Sequence, residues 1–259
     1  MTGGMTAGMT AGMTAPPRVL AVVPAYNEDA TVGDVVRAII ALGYPVVVVD
    51  DGSSDWTGDT AAAAGASVLR LPVNVGVGGA LRCGFRYAVD HGYDVVVQCD
   101  ADGQHRPAEI PTLLAGIADG AHLVIGSRFA ARGVFPAGRA RRVGMRMVTG
   151  MARRFSGVEL TDATSGFRAV GKPLLEEFAA DYPSEFLGDT VEAVILAASG
   201  GYRITEVPTT MDPRVVGVSR AGAAASGWYV VRLVAAVLLR GGRRASSRSA
   251  HRAPMPNER

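Results

Sequence analysis

The chain has 259 residues, of which 48% are hydrophobic, and a net charge of +2 at pH 7. This length and composition exclude a disordered chain and predict a globular protein with one large domain or two small ones. The charge is uneven, because six arginines and one glutamate between Arg240 and Arg259 leave about −3 on the remainder. No aromatic residue interleaves with this basic tail and no nucleic-acid module precedes it, so nucleic acid is not an expected partner.

The two cysteines indicate a protein kept in a reducing compartment, and the N-terminal repeat indicates a disordered N-terminus. Cys83 and Cys99 lie in apolar segments without CxxC spacing, and no secretory leader precedes them. A cytoplasmic protein without a structural zinc site is therefore expected. The repeat "MTGGMTAGMTAGMTAPP" cannot build a core, so residues 1–17 are predicted to be disordered.

From Arg18 onward, short apolar runs alternate with segments of helical periodicity. The predicted strands are "RVLAVVP", "PVVVVDD", "SVLRL", "DVVVQCD", "HLVIG" and, near residue 205, "YRITEVP". Apolar residues recur at helical spacing from Val32 to Ile40, and further helix-like segments lie around 57–64, 77–91 and 107–118. This alternation predicts an α/β fold with a mostly parallel, Rossmann-like sheet and helices on both faces.

Polar clusters follow three of the predicted strands. "PAYNE" follows the first, "DDGSSD" ends the second and "DADGQH" ends the fourth. Ligands of such sheets collect outside the carboxyl ends of the strands, so the three clusters are expected to form one binding crevice. Each cluster alone could equally be a turn or a helix cap.

The stretch "VVVQCDADGQH" brings two carboxylates to the end of an apolar strand. Asp100 and Asp102 would point to one side of an extended chain, about 6.5–7 Å apart at the backbone. Their mutual repulsion calls for a cation, and Mg²⁺ or Mn²⁺ is commonly held by one or two carboxylates plus substrate phosphates. The alternative is a polar turn that caps the next helix.

The glycine-rich segment "NVGVGGALRCG" does not fit a dinucleotide-binding fingerprint. A GxGxxG pattern starting at Gly76 would need glycine where Leu81 stands, and the segment follows the third strand rather than the first. Gly76, Gly78 and Gly79 are instead expected to allow a tight loop and close helix packing. A GxxxxGK[ST] phosphate loop is also absent.

Taken in order, these motifs resemble inverting glycosyltransferase family 2, and within it the dolichyl- or polyprenyl-phosphate sugar transferases. The matching run includes "VVPAYNE", "VVVVDDGSSDWT", "NVGVGGALRCGF", "VVVQCDADGQH", "VIGSRF", "TDATSGFRAV" and "YRITEVPTTMDPRVVGVSR", over about residues 18–222. The resemblance implies a GT-A fold, a nucleotide-sugar donor and a divalent ion, Mg²⁺ or Mn²⁺. It also implies that residues 18–222 form the catalytic domain.

The resemblance also assigns residues to the donor site. Asp100 and Asp102 would address the metal and the diphosphate. The nucleotide-sugar pocket would include Pro24, Tyr26, Glu28, Asp50, Asp51, Ala101 and Gln104. The donor would be GDP-mannose or UDP-glucose, and the sequence does not decide between them.

A phosphate acceptor would need cations, for which the planar guanidinium is well suited. Arg128, Arg214 and Arg220 fall on the family's motifs. Arg168 in "SGFR" is a further candidate, and Arg142 is placed only by approximate spacing. For each of them, the alternative is a surface ion pair or a solvated side chain.

Three acidic residues in the second half have possible roles in catalysis. Asp162 in "TDATSGFR" would orient the acceptor or support the metal, with a turn cap as the alternative. Asp189 and Glu192 lie near where other members of the larger family place a general base. A phosphate acceptor makes a base unnecessary, so these two are secondary candidates.

The C-terminal apolar segment predicts contact with a membrane rather than a crossing. "SGWYVVRLVAAVLLR" is interrupted by Arg232 and falls short of the ~20 apolar residues that span a bilayer. An amphipathic interfacial helix at 223–240 is expected, followed by a disordered basic tail at 241–259. The alternative is a helix packed on the catalytic domain. The protein is thus expected in the cytoplasm, at the inner face of the plasma membrane.

The leading hypothesis is a metal-dependent transferase that moves mannose or glucose from a nucleotide sugar to polyprenyl phosphate. One alternative is a family 2 transferase with a soluble hydroxyl acceptor, which would need a working base. A second is a nucleotide-sugar-binding protein without turnover, which the intact Asp100 and Asp102 pair disfavours.

Overall fold

The computed structural model describes residues 16–130, 160–183 and 189–212. The predicted apolar runs form strands, and the segments with helical spacing form helices. The elements, in chain order, are β1 (Val19–Ala25), α1 (Val32–Ile40), β2 (Val46–Asp50), α2 (Thr57–Ala63), β3 (Ser67–Arg70), α3 (Val77–Asp90), β4 (Val95–Gln98), a 3₁₀ turn (Pro107–Glu109), α4 (Ile110–Ala118), β5 (Leu123–Ser127), β6 (Arg168–Gly171), α5 (Leu174–Ala180), α6 (Asp189–Ser199) and β7 (Ile204–Pro208).

The seven strands form one sheet in the order β3-β2-β1-β4-β6-β5-β7. The pairs among β1, β2, β3 and β4 and the pair β5 with β7 are parallel, whereas β6 is antiparallel to both of its neighbours. The mostly parallel sheet flanked by helices confirms the predicted α/β fold class.

The core lies on both faces of the sheet. Successive side chains of a strand point to opposite faces, so Val47 and Val49 of β2 pack in one cluster with α3, α5 and α6. Val46 and Val48 pack in the other cluster with α1, α2 and α4. Coverage of both faces is the reason that β2 is a continuous apolar run, buried along its whole length.

β6, α5 and α6 have no counterpart among the elements predicted from the sequence. β6 has four residues, begins with Arg168 and ends with Gly171, so it carries little periodic signal. It pairs with β4 so that Arg168 lies opposite Gln98. Because β6 runs against β4, the segment that precedes it lies at the carboxyl end of β4, beside the predicted crevice.

Within the described ranges, no helix is long and apolar enough to cross a membrane. The predicted interfacial helix at 223–240, the basic tail and residues 1–15 lie outside the described residues.

Helix α3 lies close against the sheet because of Gly84. A Cβ at this position would overlap Cγ1 of Val22 on β1 and come within 3.4 Å of Cγ2 of Val49 on β2. The loop before the helix also needs glycine, since Gly76 has a φ of 84°. Gly76 thus fulfils the predicted tight loop, and the glycine that packs on the sheet is Gly84.

Gly84→Ala is expected to lower stability by about 1–3 kcal/mol, because the added methyl overpacks the contact between α3 and β1. The measurement is the free energy of unfolding in urea. Gly79→Ala in the same helix is the control, because its methyl would meet Cγ2 of Val75, an exposed side chain that can move. An equal or smaller loss for Gly84→Ala would contradict the close packing described here.

Candidate active site

Loops from three parallel strands meet at one edge of the sheet, as the motifs predicted. Ala25 of β1 pairs with Asp50 of β2, and β4 runs parallel to β1 on its other side. The loops after β1 and β2 are joined by hydrogen bonds: the Asn27 N–H donates to Ser53 Oγ at 3.0 Å, and the Glu28 N–H donates to Thr57 Oγ1 at 2.8 Å. "PAYNE" and "DDGSSD" therefore form one continuous polar surface.

Asp50 is the last residue of β2 and Asp51 follows it; both carboxylates are buried and accept backbone N–H groups. Asp50 Oδ1 accepts the Ser53 N–H at 3.0 Å. Asp51 accepts the N–H groups of Val75 at 2.7 Å and Gly76 at 2.9 Å, just before α3. Burial raises the pKa of Asp51 although these two N–H groups oppose the shift. Asp51 thus fastens the glycine-rich loop to the end of β2.

The other predicted nucleotide-pocket residues lie at the ends of β1 and β4. Pro24, Tyr26 and Glu28 are half-buried at and after the end of β1. Ala101 is buried between the two aspartates, and Gln104 is half-buried after them.

Asp100 and Asp102 follow β4 with different surroundings. The side chain of Asp100 is 36% exposed, whereas Asp102 is buried and its Oδ1 accepts the Gln104 N–H at 3.0 Å. Gly166 lies beside Asp100, where a Cβ would come within 2.9 Å of Oδ2. The lack of a side chain at position 166 therefore leaves room for this carboxylate.

The pair can contribute to a metal site but does not complete one. Among the residues that the structure describes, no group of three or more His, Cys, Asp or Glu side chains is arranged to hold a metal ion. Two carboxylates with diphosphate oxygens are a common donor set for Mg²⁺ and Mn²⁺, so these residues fit such an ion. The adjacent Cys99 is buried, and burial beside the two aspartates raises the pKa of its thiol, which favours the neutral form.

The segment after β7 is fastened to the loop that carries the aspartates. His105 and Met211 form an antiparallel bridge, and the Asp212 N–H donates to Gln104 O at 2.9 Å. Arg106 forms an ion pair with Asp212 and lowers the pKa of that carboxyl. Asp212, the last described residue, therefore lies next to the loop that carries Asp100 and Asp102, and it precedes Arg214 by two positions in the sequence.

Arg128 and Asp162, predicted as separate site residues, form a buried ion pair with each other. Arg128 Nε lies 2.6 Å from Oδ2 of Asp162, and Nη2 lies 2.7 Å from Oδ1. The side chains are 9% and 0% exposed. Asp162 is itself held at its N–H by Glu206 Oε1, at 2.7 Å. In this arrangement Asp162 orients Arg128, and the roles expected for Asp162 toward the acceptor or the metal stay predictions.

Arg168 corrects an expectation, because it is not placed to bind phosphate. It is 1% exposed and donates to the backbone carbonyls of Ala163, Ser165 and Thr190. It is thus neither a phosphate ligand nor one of the predicted surface alternatives. Its guanidinium ties the loop before β6 to the start of α6.

Several predicted residues cannot be placed. Arg142, Arg214 and Arg220 lie outside the described residues, and so does the side chain of Asp189. Glu192 is buried on α6.

Two residues that shape the site are not among the candidates predicted from the sequence. His105 lies in the "DADGQH" motif and contacts Asp100, and it could have been chosen as a candidate from that motif. Glu206 is a charged residue inside the predicted strand "YRITEVP", which is a signal that its carboxylate has a partner.

Comparison with known proteins identifies the family. The model of the family described as "Glycosyl transferase family 2" matches residues 20–178 of the chain. The chain belongs to glycosyltransferase family 2. This confirms the predicted resemblance, and with it the assignment of the protein as a glycosyltransferase.

Two named relatives of this glycosyltransferase act on polyprenyl carriers according to their names. The chain is 36% identical to undecaprenyl-phosphate mannosyltransferase of Micrococcus luteus, over 83% of its own length and 92% of the relative. It is 33% identical to polyprenol monophosphomannose synthase of Mycolicibacterium smegmatis, over 78% of this chain and 80% of the relative.

A solved structure confirms the GT-A architecture of the glycosyltransferase. Glucosyl-3-phosphoglycerate synthase from Mycobacterium tuberculosis, in complex with Mn²⁺, UDP-glucose and phosphoglyceric acid, has a TM-score of 0.67 and 25% identity. The match covers 87% of this chain and 80% of that one.

Asp162→Asn is expected to destabilise the fold by about 3–5 kcal/mol, because it removes the buried carboxylate that accepts two hydrogen bonds from the Arg128 guanidinium. The measurement is chemical denaturation at neutral pH. Asp34→Asn is the matched control, since Asp34 pairs with Arg37 on the surface of α1, and exposed pairs contribute little. Equal, small losses for the two variants would contradict a structural role for the buried pair.

Proposed function

We propose that this glycosyltransferase moves a hexose, mannose or glucose, from a GDP- or UDP-sugar to the phosphate of a polyprenyl phosphate. The observation that carries the proposal is the position of Asp100 and Asp102 at the edge of the sheet where the loops after β1 and β2 also lie. A nucleoside diphosphate that reached from those loops to β4 would place its phosphates beside the two carboxylates.

The donor site is assigned to the loops after β1, β2 and β4. The nucleoside would lie against Pro24, Tyr26 and Glu28, with Asp50 or Asp51 beside the base or ribose. The hydrogen bonds between Asn27, Ser53 and Thr57 and their neighbours support this assignment, because they hold the loops in a fixed relation before a ligand binds. Such preorganisation reduces the entropy lost on binding.

Asp100 and Asp102 would hold Mg²⁺ or Mn²⁺ together with the diphosphate. A bound divalent ion would stabilise the negative charge that develops on the departing nucleoside diphosphate. The exposed Asp100 and the buried Asp102, whose Oδ1 accepts a backbone N–H, supply hard oxygen donors for this task. Mn²⁺ in the structure of the related synthase is consistent with such an ion.

The reaction requires stabilisation of the negative charge on the leaving nucleoside diphosphate more than it requires proton transfer. A phosphate oxygen of the acceptor would bond to the anomeric carbon while the bond to the diphosphate breaks and its electron pair leaves with the nucleoside diphosphate. The acceptor is already an anion, so a general base is not required. Arg214 and Arg220 would hold the phosphates, and the pairing of residues 210–212 with the 104–109 segment supports their approach to the site.

Polyprenyl phosphate and mannose are favoured by the names of the two relatives. Such an acceptor lies in a bilayer, so the enzyme would work at the cytoplasmic face of the plasma membrane as a peripheral protein. The segment 223–240 would supply the interfacial contact through Trp228 and Tyr229, aided by the basic tail.

A soluble acceptor is the second candidate, and one observation favours it. The structurally similar synthase was solved in complex with phosphoglyceric acid, UDP-glucose and Mn²⁺. A hydroxyl acceptor would need a base, for which Asp189 and Glu192 on α6 are the candidates.

The proposal is tested by incubating the purified chain with GDP-mannose or UDP-glucose, with Mg²⁺ or Mn²⁺, and with either polyprenyl phosphate or 3-phosphoglycerate. A glycolipid from one donor, extractable into organic solvent, is the expected product. A water-soluble glycosylated product and no glycolipid would favour the second candidate. Hydrolysis of the donor alone would contradict both.

Asp102→Asn is expected to lower turnover by ~10²-fold or more, because a metal ligand at the strand end is weakened without loss of core volume. Initial rates at saturating donor and metal measure the effect, with circular dichroism as a check of folding. Asp119→Asn is the control, because Asp119 is exposed before β5 at the opposite edge. Near-normal, metal-dependent rates for Asp102→Asn would count against the site.

Substitutions of Arg214 and Arg220 test the acceptor contact. Arg→Lys keeps the charge but loses the planar fork, so kcat/KM should fall; Arg→Ala should lower it further, by tenfold or more at each position. The control is Arg203→Lys, since Arg203 precedes β7 at the opposite edge. Unchanged kinetics and lipid dependence at both positions would remove the support for a phosphate acceptor.

A further inference from the structure

The imidazole of His105 has a defined tautomer in the structure. The side chain is 1% exposed and its ring stacks on Phe167, with the ring centroids 5.0 Å apart. Its Nδ1 accepts the backbone N–H of Asp100 at 3.0 Å. A nitrogen that accepts a hydrogen bond carries no proton, so the neutral ring carries its proton on Nε2.

The Nε2 atom lies close to the carboxylate of Asp100. Nε2 is buried and has no hydrogen-bond partner among the described residues, yet it lies 3.6 Å from Oδ2 of Asp100. A buried donor that is left unpaired is costly. A contact slightly longer than a hydrogen bond can close when the carboxylate turns by a small amount.

We propose that His105 is a positioning residue that holds Asp100 at both its backbone and its carboxylate. The Nε2–H would orient the carboxylate toward the diphosphate and its metal ion, while the missing side chain at Gly166 leaves the space that the carboxylate needs. Outer hydrogen bonds of this kind tune the ligands of metal sites. The inference rests on the proposed metal site at Asp100 and Asp102.

Two substitutions separate this role from a merely structural one. His105→Asn keeps an acceptor near the position of Nδ1 but loses the Nε2 donor, whereas His105→Gln keeps a donor near the position of Nε2. The affinity for Mn²⁺ is measured by electron paramagnetic resonance in the presence of GDP and, separately, of UDP. His105→Asn should bind Mn²⁺ about tenfold more weakly than the wild type, with His105→Gln closer to the wild type.

His122→Asn is the matched control, because His122 Nδ1 likewise accepts a backbone N–H, from Arg203 at 3.0 Å, at the opposite edge of the sheet. It should leave Mn²⁺ binding unchanged. Thermal unfolding of each full-length variant measures any structural effect. Failure of both His105 variants to fold, or an affinity of His105→Asn equal to or above that of His105→Gln, would overturn the positioning role.

Asp100→Asn distinguishes this failure from that of the proposed function. If Asp100→Asn loses Mn²⁺ while His105→Asn binds it normally, the metal site stands and the role of His105 is wrong. If Asp100→Asn binds Mn²⁺ as the wild type does, the metal site is wrong, and the positioning role falls with it.

Discussion

The central strands are buried on both faces of the sheet, and this burial decides where polar side chains can stand. β2 is buried over its whole length, and so are the valines of β4. Polar side chains are therefore excluded along these strands until the chain reaches the carboxyl edge, where Asp50, Asp51, Asp100 and Asp102 appear in pairs. Because the strands are parallel, the same constraint acts on each at the same edge, and the site follows from it.

The negative charge of each carboxylate at this edge needs a hydrogen-bond donor or a cation, and different carboxylates have different partners. Asp51 accepts two backbone N–H groups at the start of α3, and Asp162 pairs with Arg128. Asp100 differs from both because its side chain is 36% exposed, with His105 on one side. This difference separates carboxylates that hold the scaffold together from one that is accessible to a ligand.

Most of the sheet could be predicted from the sequence, because β-branched runs such as Val46–Val49 and helical spacing from Val32 onward are local signals. The crevice could be predicted because parallel strands share an edge. The partner of each side chain could not, since it depends on contacts between distant segments. Arg168 and Arg128 look alike in the sequence as single arginines next to a phenylalanine, yet one binds backbone carbonyls and the other a carboxylate. The insertion of β6 between β4 and β5 creates both environments, and its four residues carry too little pattern to reveal it.

In the proposed reaction, a phosphate oxygen replaces the nucleoside diphosphate at the anomeric carbon, with inversion. NMR of the purified product of a reaction with an α-configured nucleotide sugar and polyprenyl phosphate tests this most directly. Direct displacement by the acceptor phosphate predicts a β-linked glycosyl phosphate, with a phosphodiester ³¹P signal coupled to the anomeric position. An α-linked product, or a sugar attached through a hydroxyl group, would contradict it.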